Sequence, residues 1–197
     1  MPHSAAALSA LQRHIWAGSL PLEIRLAPAD CRTYADSEPY LVQYPRLSYL
    51  ACLLPRLHAF FKTKLIDPSV PITEAWLEFE SVPLTWHYPS GLLYDLFSGA
   101  EPVDPTRQAD VEASQATVET AVGKNSLPWK IMVHYSDYPG DQLYTMDEEQ
   151  RILQDSFVNA VKEADFVRNG NARTAMGMSK EDSHNHWKSV ETRTVKL

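Results

Sequence analysis

Two cysteines, Cys31 and Cys52, are all that the 197 residues supply, and they form no Cys-x-x-Cys pair. A disulfide framework needs an even set of four or more, so a secreted cystine scaffold is excluded. Glycine is also scarce, 7 against 14 prolines, where average usage is about 7% Gly and about 5% Pro. No phosphate-cradling GxxxxGK[ST] or GxGxxG occurs, nor a GxSxG elbow or an HExxH helix, so the sequence offers no signature of an enzyme. Positive charge is in deficit: 18 Lys and Arg face 25 Asp and Glu, a net charge of −7 and a pI near 5.5. Such a surface repels phosphate backbones and anionic headgroups, which excludes nucleic acid as a partner and leaves membrane contact to come peripherally, through other proteins. Nowhere do about 18 apolar residues run together, as a membrane span requires. The N-terminus lacks a basic stretch leading into an apolar run, so no signal peptide is expected and the protein is read as cytoplasmic. No repeat of solenoid length recurs.

What remains is a core-forming composition, 44% hydrophobic and 10% aromatic, with tryptophans at 16, 76, 86, 129 and 187. Residues 1–10 are read as a flexible tail. Trp16 to Leu26 suggests two short strands, Leu22, Ile24 and Leu26 alternating with Glu23 and Arg25. Tyr40 to Tyr44 is extended, and Leu47 to Leu54 is an apolar run that periodicity leaves unassigned. Pro55 suits the first turn of a helix carrying Leu57, Phe60, Phe61 and Leu65 on one face. Ala75 to Glu80 alternates as a strand, Pro83 to Trp86 is a shorter one, and Pro89 to Phe97 has helical spacing. Residues 98–126 are too polar to support a core and read as a disordered insertion. Leu127 to Tyr135 is a clear strand. The order strand, strand, helix, strand, short strand, helix, strand implies an α+β sheet with helices on one face. Beyond it Thr145 and Glu148 suggest a capping box, Leu153, Phe157, Ala160, Val161 and Ala164 trace a helical stripe, and Asn169-Gly170 stops it. Ser179 and Asp182 open a second helix running into Trp187, and 191–197 reads as a tail.

The chemical candidates are sparse. Cys52 sits in an apolar run, where a thiol is inert unless something activates it. His184 and His186 are two apart on a helix and point to different faces, with no third ligand at zinc spacing. His87, in Trp86-His-Tyr-Pro89, could serve as a base at a strand end, and with Cys52 it frames a small-hydrolase alternative. Glu78 and Glu80 share a strand face as a paired-carboxylate site would require. For each, the ordinary alternative is a packing or solvated side chain. No cofactor is implied.

A series of segments carries more information. Trp16-Ala-Gly-Ser-Leu-Pro21, Glu38-Pro-Tyr40, Tyr44-Pro-Arg-Leu-Ser-Tyr-Leu50, Trp76-Leu-Glu-Phe-Glu80, Pro83-Leu-Thr-Trp-His-Tyr-Pro-Ser-Gly-Leu-Leu-Tyr-Asp-Leu96, Leu127-Pro-Trp-Lys-Ile-Met-Val-His-Tyr135 and Lys162-Glu-Ala-Asp165 together resemble the autophagy-related protein 5 family, in that family's order. The resemblance implies a first ubiquitin-like β-grasp domain over 11–138 and a helix-rich region over 144–190. The family's second ubiquitin-like domain has no counterpart in the resemblance. The implied function is non-catalytic: a lysine accepts the C-terminal glycine of autophagy-related protein 12 in an isopeptide bond, delivered by the pathway's conjugating enzymes. The conjugate, bound to the coiled-coil autophagy-related protein 16, then promotes lipidation of autophagy protein 8 at the preautophagosomal membrane. The alternative is an unconjugated ubiquitin-like interaction module.

The resemblance assigns the acceptor role to Lys162 and a coiled-coil contact to Arg46. Helical geometry sets Lys162 about 140° from Phe157 at the middle of the apolar stripe, so its ammonium is expected in solvent. Exposure alone would not single it out among eight lysines; the motif does. Arg46 brings a planar fork suited to carboxylates. Trp76, Trp86 and Trp129 are expected in the core.

Overall fold

The computed structural model describes residues 5–33, 37–98, 127–147, 149 and 151–192. Helix α1 spans Ala5–Ala17 and is followed by strand β1, Ser19–Leu26. Strand β2, Tyr40–Pro45, helix α2, Leu54–Phe61, strand β3, Trp76–Phe79, and strand β4, Val82–Pro83, come next. Helix α3, Ser90–Ser98, and strand β5, Trp129–His134, complete the sheet body. Three more helices follow: α4 (Arg151–Asn169), α5 (Arg173–Met176) and α6 (Lys180–Thr192).

The five strands form one sheet in the order β2-β1-β5-β3-β4. β1 and β5, the first and last strands in sequence, pair in parallel at its centre, and the flanking pairs are antiparallel. This is the β-grasp arrangement, and it arises because β1 and β5 both alternate. Leu22, Ile24 and Leu26 lie opposite Trp129, Ile131 and Val133 in register, all buried, so one sheet face is continuously apolar. Leu57 and Phe61 of α2, wholly buried, and Leu93 of α3 cover that face. Pro55 stands in the first turn of α2, where its missing N–H costs nothing. Asp30 closes the far end of the body: its buried carboxylate accepts the Tyr135 N–H at 2.8 Å, tying the segment after β1 to the end of β5.

Several expectations are corrected. Residues 5–10 are not an extended tail but the first half of α1. Ala7 and Ala10 lose no side-chain entropy on becoming helical, which offsets the exposure of residues 7–10. Trp16 therefore lies on α1, and only one strand occupies 19–26. Leu8, Leu11 and Ile15 repeat along α1 and remain exposed. The second edge strand is Val82–Pro83 rather than 83–86, since the chain turns away at Trp86. Glu191 and Thr192 belong to α6, not to a tail. Most of the proposed 98–126 insertion, from 99 onward, lies outside the described residues, as do 1–4 and 193–197. The tryptophans at 76, 86 and 129 are buried as expected. Trp76 donates its indole N–H to the Ser136 carbonyl at 2.9 Å.

Candidate functional site

Lys162 lies on α4, whose placement is built from its N-terminus. The Asp147 carboxylate accepts the N–H of Arg151 at 2.9 Å and of Ile152 at 3.1 Å, satisfying two otherwise unpaired donors. Burial pushes that carboxyl up, but the bonds from Ile152 and Arg151 outweigh it and hold it below the usual carboxylate range. The cap is thus Asp147 and not Thr145; Glu148 of the expected capping box lies outside the described residues. Leu153 and Phe157 are the buried residues of α4. Phe157 meets Tyr49 edge-on at 6.4 Å and Trp187 of α6 at 5.5 Å, and Tyr49 lies 5.8 Å from Trp187. This aromatic cluster fastens α4 and α6 to the turn before α2.

Above Phe157 the helix leaves the body. Ala160 and Ala164, expected on the buried stripe, are exposed, and so are Phe166 and Val167. Val161 packs on the core margin as expected, and Val158, not on the expected stripe, joins it there. Their position widens the stripe toward Lys162, one turn after Val158, and explains why Lys162 is half-buried rather than fully in solvent. Asp165, on the same turn, accepts the Ala175 N–H at 2.9 Å and the Asn169 side-chain amide at 2.7 Å. These bonds fold the 170–176 segment back beside the helix. Gly170, at φ +70°, makes that reversal as the C-terminal residue just past the helix. Ser179 caps α6 as expected, accepting the Asp182 N–H at 3.0 Å.

Arg46 lies at a junction on the other side of the body. Its N–H donates to the Gly18 carbonyl at 3.0 Å, and its own carbonyl accepts the Gly91 N–H at 2.8 Å. Its guanidinium donates to the Gly91 carbonyl at 3.3 Å and to the Asp95 carboxylate. Ser90 adds a bond to the Pro45 carbonyl at 2.6 Å. The start of α3 is therefore pinned onto the turn after β2, and Gly91 is required there: a Cβ would come within 2.7 Å of the Arg46 Cβ. Arg46 is expected, from the coiled-coil contact, at a surface position alone. Its internal partner, Asp95, is 49 positions away, and spacing gives no signal of it.

The remaining candidates do not assemble. Burial pushes the Cys52 thiol up to about 12, so it is neutral at physiological pH. His87 packs on Tyr88 at 4.3 Å. Glu78 and Glu80 do not form a pair, because β3 ends at Phe79. Glu80 and Ser81 make a two-residue turn, both at positive φ. Glu78 instead accepts the Ser81 N–H at 3.0 Å and lies 2.9 Å from the Nε2 of His134. His134 stacks on Trp76, and burial keeps its pKa below the ordinary value despite Glu78 and Asp30. His184 and His186 are both exposed, the latter edge-on to Phe157. Among the described residues no group of three or more His, Cys, Asp and Glu could hold a metal ion, and no helix is long and apolar enough to cross a membrane.

Comparison with known proteins covers both halves of the molecule. Residues 15–135 match the family model described as "Autophagy protein ATG5, UblA domain", and 150–197 match "Autophagy protein ATG5, alpha-helical bundle region". "Autophagy protein 5" of Aspergillus oryzae is 50% identical over 186 residues, covering 94% of this chain and 57% of the relative. The protein of the same name from Coccidioides immitis is 45% identical over 215 residues, covering 97% and 61%. The chain thus spans somewhat over half the length of these relatives. The crystal structure of Kluyveromyces marxianus Atg5 superposes with a TM-score of 0.71 at 21% identity, covering 94% of this chain and 64% of that one. That likeness shows the fold.

Proposed function

This chain belongs to the autophagy protein 5 family, and on that premise we propose that it is the non-catalytic acceptor of the ubiquitin-like autophagy-related protein 12, joined through Lys162. The reading rests on one observation: the Lys162-Glu-Ala-Asp165 motif falls within the matched helical region, on a helix fixed at its base by Asp147 and the Phe157–Trp187 cluster.

In the reaction the neutral ε-amine attacks the carbonyl of the modifier's C-terminal glycine, held as a thioester on a conjugating enzyme. The C–N bond forms, the C–S bond breaks, the cysteine leaves as thiolate and the amine's surplus proton passes to solvent or a base on the enzyme. Half-burial of Lys162 on a helix anchored at its base lowers the entropy of presenting the amine. The chain itself supplies position, not acid–base groups: Asp165 is committed to Ala175 and Asn169. The conjugate then acts peripherally at the preautophagosomal membrane, with the coiled-coil partner autophagy-related protein 16, to promote lipidation of autophagy protein 8. Arg46 contributes to the coiled-coil surface by resemblance, through whatever face its bonds to Gly91 and Asp95 leave open.

Reconstitution with the activating and conjugating enzymes and the modifier tests this. Lys162→Arg abolishes the one-to-one conjugate while leaving the circular dichroism spectrum unchanged. A conjugate formed at an undiminished rate by that variant overturns the assignment. Retained coiled-coil binding with no conjugate band from the unaltered chain selects the interaction-module reading. In the same pull-down, Arg46→Ala weakens coiled-coil capture.

A further inference from the structure

We propose that the open edge of β2, together with the flank of α2 beside it, docks an extended peptide of a partner protein. That peptide carries apolar side chains at alternate positions and acidic residues around them. β2 stands at the end of the sheet order and, among the described residues, pairs with β1 alone. Its outer edge offers main-chain N–H and C=O groups to an added strand. Soluble proteins blunt such edges with charges, prolines or bulges. Between Tyr40 and Gln43 this strand has none of these, and Leu41 is 67% exposed.

The groove beside the edge is apolar. Tyr40 and Val42 are half-buried on the face toward α2, and Tyr40 meets Phe60 edge-on at 5.2 Å. Phe60 is itself 37% exposed. An added strand would lay every second side chain along Tyr40, Val42 and Phe60, and the intervening ones over Leu41.

Charge selects the partner. Arg56 lies one helical turn before Phe60, both exposed, and its charge acts on the Tyr44 phenol, as does the opposite charge of Glu191, which is itself paired with Lys188 at 2.7 Å. Lys64 holds its ammonium 6.0 Å from the Phe60 ring centre, and exposed Lys62 lies between them in sequence. Among the described residues none of these three cations pairs with a carboxylate. Glu23, opposite Leu41 on β1, is paired with Arg25 at 2.7 Å; Glu38, two residues before β2, is the one other acid adjoining the strand in sequence. Two unpaired cations, Arg56 and Lys64, flank Phe60 on one helix face, Lys62 lying about 200° around the axis; in a chain of net charge −7 they favour an acidic peptide over a basic one.

The test titrates the isotope-labelled full chain with a fluorescent peptide of about twelve residues, valine and isoleucine alternating with serine, flanked on both sides by glutamates. Amide shifts are expected to cluster at 40–45 and 56–64. Arg56→Glu with Lys64→Glu should weaken binding about tenfold or more at an unchanged melting temperature, and a lysine-flanked peptide should bind similarly poorly, whereas Lys62→Glu should leave binding nearly unchanged. Phe60→Ala should weaken binding without altering its salt dependence. Equal affinity for the two peptides, or shifts outside this groove, overturns the proposal. So does protection of the same amides by concentration-dependent dimerisation without peptide, which would make a second copy the occupant. The same shifts produced by phosphatidylserine vesicles but not by peptide would overturn it in favour of a membrane surface.

Discussion

Each of the four longer strands of the sheet body contributes side chains with less than a tenth of their surface exposed, and α2 buries Leu54, Leu57 and Phe61 over eight residues. α4 buries two residues in nineteen, α6 buries Trp187 and Val190 in thirteen, and α5 buries none. The body makes its own core, whereas the helical region borrows one: its buried aromatics converge on Tyr49, which belongs to the body. A segment attached through one cluster can present a reactive side chain rigidly near its base and leave its far end, with Phe166, Val167 and Met176 exposed, open to other surfaces.

The contrast is sharpest under truncation of buried side chains. Phe61→Ala removes a ring with no exposed surface and should cost about 3–5 kcal/mol of global stability, read by urea unfolding. A loss well under 1 kcal/mol would mean that the body is not the stable unit. Trp187→Ala should cost about 3 kcal/mol, at the lower end of the same range, because the helices it anchors bury few other side chains. Its signature is local: hydrogen exchange should rise across α4 and α6 while the amides of β5 keep their protection. Uniform deprotection would show that the two regions unfold together and would erase the distinction.

The smallest effect comes from the cap. Asp147→Ala should cost about 1 kcal/mol, confined to the first turns of α4. The carboxyl is held below its ordinary value in the folded chain, so the folded state binds its proton less readily than the unfolded state. The stabilisation is therefore complete above about pH 4 and is lost as the pH falls through the depressed folded value. Stability curves of the unaltered chain and the variant should converge on acidification. A gap that persists at low pH would assign the effect to packing rather than to charge.

Much of the body was legible because its strands repeat with period two, Pro55 stands in the first turn of α2 and α3 begins at Ser90, just after Pro89, signals that local sterics impose. The end of α4 at Asn169 and the Ser179 cap follow from the same local rules, whereas the placement of β5 beside β1 at the centre of the sheet does not. Less was legible around the two named site residues. The amphipathic stripe of α4 was drawn through Ala160 and Ala164, although alanine fits buried and exposed faces alike. Val161 packs as the stripe requires; only packing decided that Val158 joins it and that Lys162 is half-buried.

By itself, then, the sequence determined the periodicities, the turn residues and the motif that singles out Lys162, all of which are local in the chain. Three features were settled by the tertiary structure: Arg46 is bonded to Gly91 and Asp95, Asp30 closes the sheet through Tyr135, and Tyr49 anchors helices more than a hundred residues downstream. Such contacts pair groups whose separation along the chain carries no period. They form where the packed sheet brings polar groups out of water and each donor or acceptor must find a partner.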